Sequence, residues 1–232
     1  MIYYIATLLL GPVFYVQGRY VKRVTPSLPE PEGDRSGQTG AGAQLSLLIV
    51  GDSAAAGVGV DRQECALSGC LVRFLSDAHS VNWKLVANTG DTSAQLLERL
   101  THASKASFAT VVVSIGVNDV TGMTAAREWV KNLEAIIAIL KCRFEARKIY
   151  FSSIPPMHFF PALPHPLRWW LGSRARQLNA LMQRVTENNS GCEFVSVPYT
   201  FDSKFIAADG FHPGYHAYEL WAQHLAGLIQ EN

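Results

Sequence analysis

Ser53, Asp209 and His212 are the residues whose types and order could do chemistry. A serine hydroxyl becomes a useful nucleophile only when a neighbouring base takes its proton and a third group orients that base. Asp209 and His212 stand three residues apart in Asp-Gly-Phe-His, so one turn could present both side chains. His212 would act as general base and then as general acid, while Asp209 would fix its tautomer. The chemistry such a set suits is acyl transfer, which also needs donors aimed at a developing oxyanion. Three candidates stand at segment ends: the backbone N–H groups of Ser53 and Gly90, and the side-chain amide of Asn118. Taken alone, Gly51-Asp-Ser53 reads as readily as a helix cap. The other stretches, in order along the chain, change that balance.

Each stretch stands at the end of a strand pattern or just before a helical one. Leu45 to Val50 is apolar apart from Ser46, as a central parallel strand covered on both faces should be. Trp83 to Ala87 leads to Asn88-Thr-Gly90, and Ala109 to Ile115 leads to Gly116-Val-Asn118-Asp119. Lys148–Ser152 and Phe194–Val197 complete five expected strands. Helical periodicity fills the intervals, with the last helix running through Tyr218, Trp221, Leu225 and Leu228. The alternation predicts an α/β fold, a three-layer α/β/α sandwich with a five-stranded parallel sheet and right-handed crossovers. Open sheets of this kind bind ligands beyond the carboxyl ends of their strands, where Ser53, Gly90 and Asn118 would emerge.

At 232 residues and 48% hydrophobic, the chain can bury one full core. A net charge of +1 without a Lys/Arg block gives no reason to expect a nucleic-acid partner. Cys65, Cys70, Cys142 and Cys192 form no Cys-x-x-Cys pair, so buried free thiols are expected, with a Cys65–Cys70 bridge as the alternative. His212 and His216 have the spacing of a metal pair but lack the adjacent Glu of a His-Glu-x-x-His site. No metal and no cofactor are expected, and His216 should be an exposed helix residue.

Residues 1–24 form an apolar segment with a basic flank at Arg19, Lys22 and Arg23. The apolar run from Met1 to Val16 is short of the ~20 residues a spanning helix needs, and it lacks the basic start of a secretory signal. Tyr3, Tyr4 and Tyr15 with the basic flank suit a segment lying in a membrane interface. Membrane association on the cytoplasmic side is the expectation, with a periplasmic or secreted domain as the alternative. A packed helix without lipid contact is the competing account. Residues 25–43, rich in Pro, Gly and Glu, read as a flexible linker, leaving 44–232 as the catalytic domain.

Gly51-Asp-Ser53, the Gly90 turn, Gly116-Val-Asn118-Asp119 and Asp209-Gly-Phe-His212 together resemble the four signature blocks of the SGNH (GDSL-type) hydrolase family, in family order. The resemblance implies a flavodoxin-like sheet of order 2-1-3-4-5 and ester hydrolysis through an acyl-enzyme, without metal or cofactor. Family members include lipases, thioesterases, aryl-esterases and carbohydrate acetylesterases, so the fold fixes the reaction more firmly than the substrate. The expected substrate is a small carboxylic ester with an apolar acyl or alkyl group. The alternatives are a carbohydrate O-acetylesterase, which a polar cleft would favour, and a catalytically silent membrane-tethered binding protein. The latter requires Ser53 and His212 to be out of reach of one another, or the site to be sealed.

Further candidates surround the set. Met157, Phe159 and Phe160 lie in a Pro-rich loop after the fourth expected strand, as pocket wall, lid or packing. Phe211 adjoins His212 and could line the pocket. Asp52 and Asp119 are also placed at the pocket edge, where each could instead hold or cap a turn.

Overall fold

The apolar runs Leu47 to Val50 and Val111 to Val113 form strands whose side chains alternate between two buried faces. A computed structural model describes residues 2–199 and 202–231, with side chains described for all of these except 2–6 and 203. Met1 and Asn232, which bound two of the expected segments, lie outside the described residues, and so do the side chains of Tyr3 and Tyr4.

In chain order the elements are α1 (Ile2–Val24), β1 (Ser36–Thr39), β2 (Ala43–Gly51), α2 (Ser53–Ala56), α3 (Leu67–Ser76), β3 (His79–Ala87) and α4 (Ser93–His102). They continue with β4 (Thr110–Ser114), α5 (Val117–Thr121), α6 (Ala126–Arg143), β5 (Lys148–Ser152), α7 (Leu167–Glu187), β6 (Cys192–Val195) and α8 (Tyr215–Gln230). Leu48, Val50, Val111, Val113, Ile149 and Phe151 pack into one core with α4, α6 and α7. Leu47, Ile49, Val112 and Tyr150 point the other way, into a core shared with α3 and α8. Burying one such side chain contributes roughly 1.5–3 kcal/mol, so the sheet is held chiefly by its two apolar faces.

The sheet order is β1-β3-β2-β4-β5-β6, with β1 antiparallel to β3 and the other neighbours parallel. The five expected strands therefore appear in the expected 2-1-3-4-5 order, and the sheet carries a sixth. β1 is Ser-Gly-Gln-Thr and wholly exposed. It has no alternation to read; it forms because the edge of β3 offers unpaired backbone groups.

The segment 25–43 is thus not a free linker. Beyond β1, Glu32 bridges to Arg62, and the Gln63 N–H donates to the Glu32 carbonyl at 2.7 Å. The apolar segment before it is a single helix packed on α7. Phe14 is buried and stacks on Trp170 with ring centroids 4.5 Å apart, and the Trp170 indole N–H donates to Thr7 Oγ1 at 2.8 Å. Gln17 donates to the His165 carbonyl and accepts from the Leu167 N–H. Among the described residues no helix is long and apolar enough to cross a membrane. All four cysteines are free; Cys70 is buried, Cys65 and Cys192 are half-buried, and Cys142 is exposed.

Candidate active site

Sheet register brings the carboxyl ends of three strands to one edge. Gly51 lies opposite Ala87 of β3 and Ser114 of β4, so the residues just beyond each strand end share a crevice. Gly51 has φ 156°, and a Cβ there would sit 1.9 Å from the Ser114 carbonyl oxygen, so only glycine allows this approach. Asp52 then caps α2, its carboxylate accepting the Ala54 N–H at 3.1 Å. This leaves Ser53 as the first helical residue, whose N–H has no intrahelical acceptor.

His212 reaches Ser53 from the loop between β6 and α8. His212 Nε2 lies 2.9 Å from Ser53 Oγ, and Nδ1 lies 2.5 Å from Asp209 Oδ2. The other Asp209 oxygen accepts the Phe211 and His212 backbone N–H groups at 2.9 and 3.0 Å. One carboxylate therefore folds the turn and orients the ring. Burial pushes Asp209 up, but the His212 ring, together with the His212 and Phe211 backbone donors, outweighs it and holds the acid below its usual range. An ionised Asp209 accepts Nδ1–H and leaves Nε2 free to take the serine proton.

Asn118 and Gly90 stand at the neighbouring strand ends. The Asn118 amide donates one N–H to the Asp91 carbonyl at 2.9 Å; an amide carries two such donors, and the second has no acceptor among the described residues. Gly90 has φ 90°, and a Cβ there would meet nothing within 4 Å, so the space where a side chain would stand is open. His216, four residues past His212, is exposed on α8.

Two cavities adjoin this cluster. One of about 90 Å³ is lined by Asp52, Ser53 and His212, with Ile115, Val117, Ile154, Phe159, Phe160 and Phe211 among its apolar walls. Another of about 990 Å³ is lined by Gly90 and Asn118 and extends along α1 and the start of α7. Phe211 lines both. Asp52, Phe159, Phe160 and Phe211 line the smaller cavity.

Asp119 and Met157 do not. Both are fully buried and line neither of these cavities. Asp119 accepts the Ser93 N–H at 2.9 Å and the Ser93 hydroxyl at 2.6 Å, and Asn132 donates to that hydroxyl. It ties the start of α4 to α5, and burial pushes its acid up despite the Ser93 donors. Met157 belongs to the core beneath the Pro-rich loop. Burial also pushes Asp52 up to about 7, against the Ala54 N–H and the His212 charge and with the Asp119 charge.

Several supporting residues escape a reading of motifs. Arg99 makes two hydrogen bonds to Asp91, at 2.9 and 3.1 Å, and Asn88 also donates to Asp91. This bracket fixes the turn that carries Gly90. The readable signal is the Thr92-Ser-Ala-Gln95 capping box, which is formed and marks where the turn ends.

A sequence model of the GDSL-like lipase/acylhydrolase family matches residues 49–220. No protein among curated sequences matches the chain. Among solved structures, TesA is 22% identical with a TM-score of 0.62, over 80% of this chain and 98% of that one. LAE5, an alpha/beta hydrolase enzyme from the metagenome of Lake Arreo, Spain, is 20% identical with a TM-score of 0.62, over 82% and 97% of the two chains. An active-site mutant of a family two carbohydrate esterase from Clostridium thermocellum is 14% identical with a TM-score of 0.64, over 83% and 65%. At these identities the likeness is one of fold.

Proposed function

Because the chain belongs to the GDSL-like lipase/acylhydrolase family, we propose that it hydrolyses carboxylic esters through an acyl-enzyme on Ser53. The observation that carries this reading is the unbroken line Asp209 Oδ2–His212 Nδ1, His212 Nε2–Ser53 Oγ. His212 takes the Ser53 proton as Oγ attacks the ester carbonyl carbon. The resulting oxyanion is met by the N–H groups of Ser53 and Gly90 and the Asn118 amide. His212 then gives its proton to the leaving alkoxide, and a water activated by the same imidazole releases the acid.

The apolar walls beside Ser53 and His212 favour an apolar acyl or alkyl group over a sugar ester. The 2.9 Å reach of His212 to Ser53 argues against a catalytically silent scaffold, since that reading needs the two apart. The test is hydrolysis of a chain-length series of p-nitrophenyl esters by the full chain beside its Ser53→Ala variant, with fluorophosphonate labelling of Ser53. Turnover and labelling that survive the substitution, or that never occur in the folded protein, would end this reading.

We also propose that α1 lies on a lipid surface rather than across it. Leu9, Val13, Val16, Tyr20 and Val24 are exposed and repeat every three or four residues, forming an outward apolar stripe. Co-sedimentation with anionic vesicles should fall when Leu9 and Val16 become glutamate; unchanged binding would exclude this face.

A further inference from the structure

One whole wall of the larger cavity is the N-terminal helix. Thr7, Gly11, Phe14, Gly18, Val21 and Thr25 line it from α1 and its end, a run of 19 residues that spans roughly 27 Å. Leu163, Leu167, Trp170 and Leu171 form the adjoining wall, and Gly90, Asn118 and Phe211 line the cavity's end towards the Ser53 cluster. Its volume of about 990 Å³ lies at the upper end of the ~300–1,000 Å³ common for small-molecule sites. The 90 Å³ cavity is far too small for a long chain.

Two features of α1 keep the space open and give it a sign. A Cβ placed on Gly11 or on Gly18 would meet nothing within 4 Å, although glycine weakens a helix interior relative to alanine. Arg19 and Lys22 line the cavity, with no acidic side chain among its lining residues. Neither forms an ion pair among the described residues.

We propose that α1 is the outer wall of the substrate groove, and that the ester this enzyme takes is a single-chain amphiphile whose apolar chain lies along α1 beside its contact with α7 and whose anionic head meets Arg19 and Lys22. This rests on the Ser53 esterase reading and names its substrate class. Filling the groove from α1 should then cut chain-length preference, and removing the two cations should weaken anionic ligands selectively.

The experiment uses the full chain with Gly11→Phe and, separately, Gly18→Phe, both on p-nitrophenyl butyrate and dodecanoate kept below aggregation. The dodecanoate-to-butyrate ratio of kcat/KM is expected to fall at least about tenfold in each variant, as two or more chain methylenes lose their burial. Calorimetric binding of dodecyl phosphate to Ser53→Ala forms the second arm. It should weaken at least about tenfold with either glycine variant or with Arg19→Ala plus Lys22→Ala, whereas a neutral dodecanoyl monoglyceride should respond to the glycine variants alone. An unchanged ratio with unchanged dodecyl phosphate binding overturns the groove. If wild-type turnover is absent yet dodecyl phosphate binding follows the pattern, the esterase reading fails and the groove stands. Equal sensitivity of both ligands to the cation variants removes the anionic head.

Discussion

Thr89 gives both its backbone N–H and its hydroxyl to a single carboxylate oxygen of Glu30, at 2.9 and 2.7 Å. Arg35 binds the other oxygen of the same carboxylate at 2.6 Å and also reaches the Ala87 carbonyl. Thr89 immediately precedes Gly90, so a residue from the Pro-rich segment holds the turn that presents a proposed oxyanion donor. The partial burial that would raise the Glu30 acid is outweighed by the Thr89 donors and Arg35, and the acid lies below its usual value.

Glu30→Ala should therefore act at a distance from the ester. With the Gly90 turn released, kcat is expected to fall roughly ten- to a hundredfold, as misplacement of a distant support can do. KM should change little. Steady-state kinetics and the rate of fluorophosphonate labelling check this together; a fall in KM-dependent terms alone would mean that Glu30 acts on binding.

Asp209→Asn keeps an oxygen for the Phe211 and His212 N–H groups but opposes the needed imidazole tautomer. The expected loss in kcat is roughly 10⁴-fold, with the fold retained. The depressed acid also sets a pH sign. Its stabilisation is fully present above the unfolded value of about 4 and is lost as pH falls through the lower folded value. Thermal melts should show the wild type losing this contribution in acid, and Asp209→Asn lacking that component.

Asp52 has the opposite sign. Its folded value, raised to about 7 by burial, lies above the unfolded one. Its contribution is present below about pH 4 and is lost as pH rises towards 7. Asp52→Asn can still accept the Ala54 N–H, so the cap survives. The variant's melting temperature should flatten between pH 4 and 7 relative to wild type and exceed it above that window.

Gly51→Ala would drive a methyl into the Ser114 carbonyl in a backbone region that L side chains rarely adopt. A loss of roughly 3 kcal/mol or more is expected, read by urea unfolding. Retained stability would mean that β2 and β4 can part without cost.

The core strands were legible because Leu47 to Val50 and Val111 to Val113 are buried on both faces and carry a local signal. Ser53, Gly90, Asn118, Asp209 and His212 were legible because each stands at a strand end or in a turn, in a fixed order. β1 was not, since an exposed Ser-Gly-Gln-Thr edge strand owes its form to its neighbour. Glu30 was not either: its partner lies 59 residues away, and nothing in a Pro/Glu-rich stretch announces a long-range contact. α1 showed its apolarity but not which face would meet Trp170, because both faces are apolar. Asp119 and Met157 were placed at the pocket for their neighbourhood in sequence, whereas their side chains turn inward.

The docking of α1 has a consequence for how the protein is made. Thr7 and Trp170, which are hydrogen-bonded in the finished fold, are 163 residues apart. At about 5–20 residues per second, the ribosome needs roughly eight to thirty seconds to supply the partner after the helix has been synthesised. For that interval Phe14 has no Trp170 to stack on, and both sides of the helix are open. A bilayer or a chaperone present at the exit tunnel meets α1 before α7 does, and must give up one face for the groove to close.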